Sequence, residues 1–156
     1  MAGAYQVRVS LEKKALDPPV ARPEDAADPD YQPEWRKIVS GNFLEDPIPK
    51  GHDTFIVANV VHTLTADQNR QLVRRVREAA GRGARLLLVD LWTNPTHTEP
   101  QIAALLAGEF LVIAGNGDVY STEDAMTRLV ELGWSFVEQK PLDGPVSVIV
   151  AEADNA

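Results

Sequence analysis

Three positions set reactive groups at the ends of apolar runs. His62 follows FIVANVV at 55–61, Asp90 lies near the end of ARLLLVDLW at 84–92, and Asn42 with Phe43 follows KIVSG. In open α/β sheets ligands gather beyond the carboxyl ends of parallel strands, so neighbouring strands would bring these residues to one edge. Imidazole titrates near neutrality and can both take and return a proton. His62 is therefore the first choice for a general base toward a hydroxyl, a phenolic one included. Asp90 could orient the ring and favour its charged form. The Asn42 amide can donate to and accept from a base edge, and Phe43 beside it could cover an adenine face. Each has a plainer role open to it: a strand-capping histidine, a turn aspartate, a turn asparagine beside a core phenylalanine. Trp92 is divided in the same way between lining an aromatic-substrate pocket and packing in the core.

Other chemistries find less support. His52 and His97 sit in polar connections and read as solvated, and the three histidines lack metal-ligand spacing, so no metal site is expected. Gly115-Asn116-Gly117 lacks the lysine and hydroxyl of a phosphate-binding loop and reads as a turn. The absence of cysteine removes disulfides, thiolate metal sites and thiol nucleophiles. Fifteen basic against twenty-three acidic side chains give a net charge of −8, which opposes nonspecific attraction to nucleic acid or anionic lipid. Arg70, Arg74, Arg75 and Arg77 form a local basic stripe, read as the wet face of a helix. Both long apolar runs fall short of the roughly 20 residues that cross a bilayer. MAGAYQVRVSLEKK places no apolar segment and cleavage site behind a basic start. Neither a nucleic acid nor a membrane is an expected partner, and a cytoplasmic location fits.

The elements that would position these groups follow from periodicity. Residues 1–34 carry Pro18, Pro19, Pro23, Pro29 and Pro33 among acidic and small residues, so an irregular leader is expected, with one short strand at most through Val7, Val9 and Leu11. From 35 to 156 apolar segments recur regularly. KIVSGNF at 37–43 reads as a short strand running into a glycine turn. FIVANVV is continuous enough for a strand covered on both faces. Thr65 with Gln68 has the form of a capping box, followed by a helix whose apolar side is Leu72, Val73, Val76, Ala79 and Ala80 and which Gly81 and Gly83 end. ARLLLVDLW is the next buried strand, so 55–92 reads as a right-handed parallel strand–helix–strand unit. A polar loop leads into QIAALLAGEFLVIAG, which reads as a helix, with a strand left open by the β-branched residues near its end. Ser121 caps another, with Ala125, Leu129 and Leu132 inward. Trp134–Lys140 and Val146–Glu152 read as strands reversed through Asp143-Gly144.

On these residues the chain resembles a known family. GNFLEDPIPKGHDTFIVANVVHTLTADQNRQLVRRVREAAGRGARLLLVD is similar to the C-terminal half of the catalytic domain of class I S-adenosylmethionine-dependent O-methyltransferases that carry a separate N-terminal dimerisation domain. GEFLVIAGNGDVYSTEDAMTRLVELGWSFVEQKPLDGPVSVIVAEA resembles the same family's terminal helix and strands, so the likeness covers about 36–153. It implies an α/β fold: an incomplete Rossmann-like methyltransferase sheet, with a parallel core and a C-terminal antiparallel hairpin. It implies that His62 is the general base, that Asp90 is the carboxylate fixing it, and that Asn42 stands where the family has an aspartate contacting the donor's adenine, with Phe43 at the neighbouring apolar position. Thr63 and Leu64 replace the usual Asp-Trp after the histidine, Ala58 replaces a common basic residue, and the region near Val119 and Tyr120 does not preserve the expected Glu-Arg pair. Residues 1–34 show no glycine-rich donor loop, and no dimerisation domain is evident.

Two functions follow from this likeness. In one, the chain is a subunit or part of an O-methyltransferase-like enzyme acting on a small aromatic hydroxyl compound, needing a complementary chain, or is repurposed to another small-molecule reaction. S-adenosylmethionine would then bind only in a complete assembly, with none expected on the isolated chain. In the other, the chain is a catalytically inactive binding or interaction protein that keeps the sheet for packing. Separately, a chain matching part of a larger sheet would expose apolar edge and helix-packing surface, so a homodimer or a complex with a complementary methyltransferase-like chain is expected.

Overall fold

The computed structural model describes residues 41–114 and 117–154. The leader 1–34 and strand residues 37–40 lie outside the described residues. The elements are β1 (Thr54–Ala58), a 3-10 turn (Val61–Thr63), α1 (Ala66–Ala79), β2 (Arg85–Asp90), α2 (Gln101–Ala114), α3 (Thr122–Glu131), β3 (Trp134–Pro141) and β4 (Ser147–Ala153). The strands form one mixed sheet in the order β1-β2-β4-β3. β1 and β2 are parallel and adjacent, with Thr54 opposite Arg85 and Ala58 opposite Val89. β4 runs antiparallel to both β2 and β3, which places Ser147 beside Asp90 and Pro141 beside Ser147. This is the expected architecture, a parallel core closed by an antiparallel hairpin.

FIVANVV is shorter as a strand than its composition suggests. β1 stops at Ala58 because Asn59 adopts φ 54, a left-handed conformation that asparagine tolerates better than most side chains. Val60 and Val61 then turn inward and are buried. Along the strand Phe55 and Val57 are buried while Ile56 is half-buried, and β2 repeats this with Leu86 and Leu88 against Leu87 and Val89. Only one face is therefore fully covered by the described residues, whereas continuous hydrophobicity suggests two. At the start of the described region, Asn42 and Phe43 lie in a turn and not in a strand.

The covered face packs against α1 and α3. Thr65 accepts from the Gln68 backbone N–H, and the Gln68 side chain accepts from the Thr65 N–H, so both halves of the capping box form. Leu72, Val73, Val76 and Ala79 of α1 join Phe55, Val57, Leu86 and Leu88 in one core with Trp92, Leu129, Trp134 and Ile149. The arginines of α1 hold neighbouring segments. Arg75 donates to the Phe43 and Asp46 carbonyls, Arg77 donates to the Gly133 and Asp154 carbonyls, and Arg70 pairs with Glu131. A second, smaller cluster of Leu91, Ala103 and Val119 sits under α2 with Leu106 and Phe110. Ser121 caps α3 by accepting from the Asp124 N–H, and Thr93 pairs with Ser121 across an isolated parallel bridge. That bridge carries the line of β2 onward and fixes the segment 117–121 beside the sheet edge.

Candidate functional site

The parallel pair delivers His62 and Asp90 to the same edge, as strand-end placement requires. Ala58 is level with Val89, so the left-handed residue Asn59 and the 3-10 turn after it fold back over the end of β2. There His62 Nδ1 lies 2.7 Å from Asp90 Oδ1. Against an ionised carboxylate, which has only acceptors, the ring donates from Nδ1, and in the neutral tautomer this assigns Nε2 as the acceptor. The His62 side chain is 12% exposed and that of Asp90 1%, an imidazole reachable from one side over a wholly buried carboxylate. Burying a charge is costly unless it is paired and hydrogen-bonded. Asp90 is satisfied by the ring, by the Leu91 N–H at 2.8 Å and, more weakly, by the His62 N–H at 3.4 Å.

Phe110 of α2 stacks on the imidazole, with ring centroids 4.0 Å apart and planes 22° from parallel. Gly117 lies against the His62 backbone and Phe110 together. A Cβ there would stand 2.5 Å from the His62 carbonyl oxygen and 3.2 Å from Phe110 Cβ, so only glycine allows this approach. The next residue, Asp118, donates its N–H to the His62 carbonyl at 3.0 Å. Sequence reasoning identified neither Phe110 nor Gly117 as part of this site, since Phe110 reads as one more apolar helical position and Gly117 as a turn residue.

The positions expected to meet a methyl donor are arranged differently. Asn42 Oδ1 accepts from the Leu44 N–H at 3.1 Å, and the Asn42 N–H donates to Asp46 Oδ2 at 2.6 Å. The residue thus organises its own turn, and neither bond uses Nδ2. Phe43 is half-buried against the main core. Trp92 is a core residue that also donates from Nε1 to the Ser147 carbonyl at 3.2 Å. His97 is half exposed, with Nδ1 3.3 Å from Thr93 Oγ1, and His52 meets the edge of Phe55. Among the described residues no group of three or more His, Asp or Glu is arranged to hold a metal ion, and no helix is long and apolar enough to cross a membrane.

A family model described as the O-methyltransferase domain matches residues 24–135. The chain belongs to the O-methyltransferase domain family. Its relatives include the tetracenomycin polyketide synthesis 8-O-methyl transferase TcmO of Streptomyces glaucescens, 23% identical over 114 residues that make up 73% of this chain and 33% of that one. Acetylserotonin O-methyltransferase of Mus musculus is 28% identical over 138 residues, 88% of this chain and 34% of the relative. Among solved structures, an O-methyltransferase family 2 protein from Planctomyces limnophilus in complex with apigenin superposes with a TM-score of 0.69 at 26% identity, covering 72% of this chain and 33% of that one. Human N-acetylserotonin methyltransferase in complex with SAM gives a TM-score of 0.73 at 20% identity, covering 81% and 36%, a likeness of fold. The chain spans about a third of the length of the curated relatives it matches. His62, Asp90, Phe110 and Gly117 all fall within the family match, and the hairpin β3–β4 lies mostly beyond it.

Proposed function

We propose that this chain is the C-terminal portion of an O-methyltransferase acting on a hydroxyl of a small aromatic compound, with His62 as general base and Asp90 as the group that positions it. The observation that carries this is the 2.7 Å contact between His62 Nδ1 and a fully buried Asp90. It leaves Nε2 as the ring's acceptor. A phenol has a pKa of about 10 and an imidazole about 6.5, so full proton transfer between them is uphill by roughly 5 kcal/mol. A buried carboxylate on Nδ1 lowers that cost by stabilising the imidazolium as it forms. The hydroxyl proton passes to Nε2 while Nδ1–H stays bonded to Asp90, and the oxygen gains the electron density it needs as a nucleophile. Phe110 covers one face of the ring and so limits water at the base.

S-adenosylmethionine, when bound, supplies the methyl group. Of the described residues, Asn42 through Nδ2 and Phe43 through its exposed part are the candidates for its adenine side. A turn whose acceptor is already engaged fits that role only in part. The rest of the donor site comes from residues outside 41–154, in the same polypeptide or in a complementary one. A homodimer or a complex with such a methyltransferase-like half is the expected working form, and a cytoplasmic setting suits this chemistry.

The test is methyl transfer from labelled S-adenosylmethionine to a panel of small phenols, using this chain together with its donor-binding part. Transfer to phenolic oxygen that Asp90→Asn reduces supports the proposal. Donor binding without transfer to any hydroxyl would favour the inactive binding protein.

A further inference from the structure

We infer that Asn69 and Tyr120 are positioning residues for His62, acting through the carbonyls of the 3-10 turn that carries it. Asn69 lies on α1 among arginines, yet it is one of the few fully buried polar residues described. Its Nδ2 donates to the Val61 carbonyl at 3.0 Å and the Leu64 carbonyl at 3.3 Å. Both partners are acceptors only, which fixes the amide with nitrogen toward the turn. The buried Tyr120 hydroxyl donates to the same Leu64 carbonyl at 2.7 Å. These bonds bracket His62 in sequence, on the residue before it and on the second residue after it. Asp118 N–H takes the His62 carbonyl itself. With a non-glycine residue at φ 54 just before the turn, the local backbone is not an ordinary strand end, and conformations of this kind persist when surrounding bonds over-determine them. Asn69 and Tyr120 supply that restraint from two different elements, α1 and the segment leading into α3.

This inference rests on reading His62 as the base, but its test does not depend on turnover. Histidine-labelled full-length chain is observed by nitrogen NMR, with the His62 ring signals assigned by their loss in His62→Gln. The readout is solvent exchange of the Nδ1 proton that bonds Asp90, compared with amide exchange in the centre of β2. Asn69→Leu and Tyr120→Phe should each speed Nδ1–H exchange by roughly tenfold, the scale expected for losing one or two ordinary hydrogen bonds, without a matching change in β2. The double variant should exceed the product of the single effects, because the Leu64 carbonyl then loses both donors. Arg77→Ala removes bonds of α1 to Gly133 and Asp154 at the far end of the helix and should leave Nδ1–H exchange unchanged relative to β2. If Asn69→Leu prevents folding, the near-isosteric Tyr120→Phe decides alone. Nδ1–H exchange that merely tracks β2 in the variants, or that is unmoved by Tyr120→Phe, would overturn the inference.

Discussion

At the scale of single residues the site is an imidazole, a buried carboxylate bonded to it, a phenyl ring stacked on it and a glycine against its backbone carbonyl. Each can be removed separately. Asp90→Asn replaces an acceptor of three N–H groups with an amide that cannot stabilise an imidazolium, so turnover should fall by roughly 10-fold or more, less than for loss of the base itself. The pH dependence of turnover should change with it. A profile identical to wild type at an unchanged rate would remove Asp90 from the mechanism. Gly117→Ala should displace the turn or Phe110, since its Cβ meets a backbone oxygen at 2.5 Å. A folded variant with the native His62 ring signals would show that the segment gives way more easily than its contacts imply. His62 and Asp90 could be read from strand ends because apolar runs end visibly and the chemistry of the next residue stands out. Phe110 could not, because its place over the imidazole depends on how α2 is set by the loop after β2 and by packing against Leu91 and Val119.

At the scale of elements the same contrast holds. The Thr65–Gln68 box is local and its sequence signature is direct. Thr65→Ala should cost about 1 kcal/mol and lower the unfolding midpoint by roughly 2 to 4 °C, measured by calorimetry. An unchanged midpoint would show that α1 is held by packing alone. The end of β1 could not be read locally, since Val60 and Val61 have strand propensity, and they leave the strand after left-handed Asn59 with tertiary bonds holding the turn. Asn69 was hidden for the same reason, as a polar residue in an arginine-rich helix reads as wet. Asn69 and Arg128 both line a small internal cavity of about 10 Å³ between α1, α3 and the sheet. Asn69 Oδ1 and Arg128 Nε are both buried without a protein partner among the described residues. The space is mostly apolar-lined and at the lower limit for one water, so the case for a water rests on these two atoms, and a high-resolution crystal structure should show a single one bridging acceptor and donor. An apolar side chain filling the space would contradict this.

Tyr120 adds a titration to that region. Burial holds its phenol above the ordinary value of 10.0, with Asn69 and Arg128 partly offsetting the rise. A group whose folded value is raised contributes stability that is present below its unfolded value and lost as pH rises through the folded one. Wild type should therefore lose stability above about pH 10 more steeply than Tyr120→Phe, followed by urea unfolding at several alkaline pH values. Parallel curves for the two proteins would mean that the tyrosinate is solvated in the folded state.

At the scale of the whole molecule, the described residues form a sheet with one fully covered face and a helix that exposes apolar side chains. On α2, Leu105 is 65% exposed and Val112 83%, beside the Phe110 that covers the base. Exposed apolar side chains that gather into a patch mark partner sites or aggregation hazards. The 156-residue chain alone should bind S-adenosylmethionine no tighter than roughly millimolar, because the roles proposed for Asn42 and Phe43 reach only the adenine side and several charge-assisted contacts worth about 1.5 to 3 kcal/mol each are not supplied by them. Micromolar affinity by calorimetry would contradict this. The most direct measurement of the central claim is the single-turnover rate of methyl transfer to a phenol by His62→Gln, compared with wild type, in the assembly that includes the donor-binding part. A positioned general base contributes roughly 10² to 10⁴ in rate, so the variant should fall by that factor with its donor affinity unchanged and its fold retained. A rate equal to wild type would show that His62 is not the base.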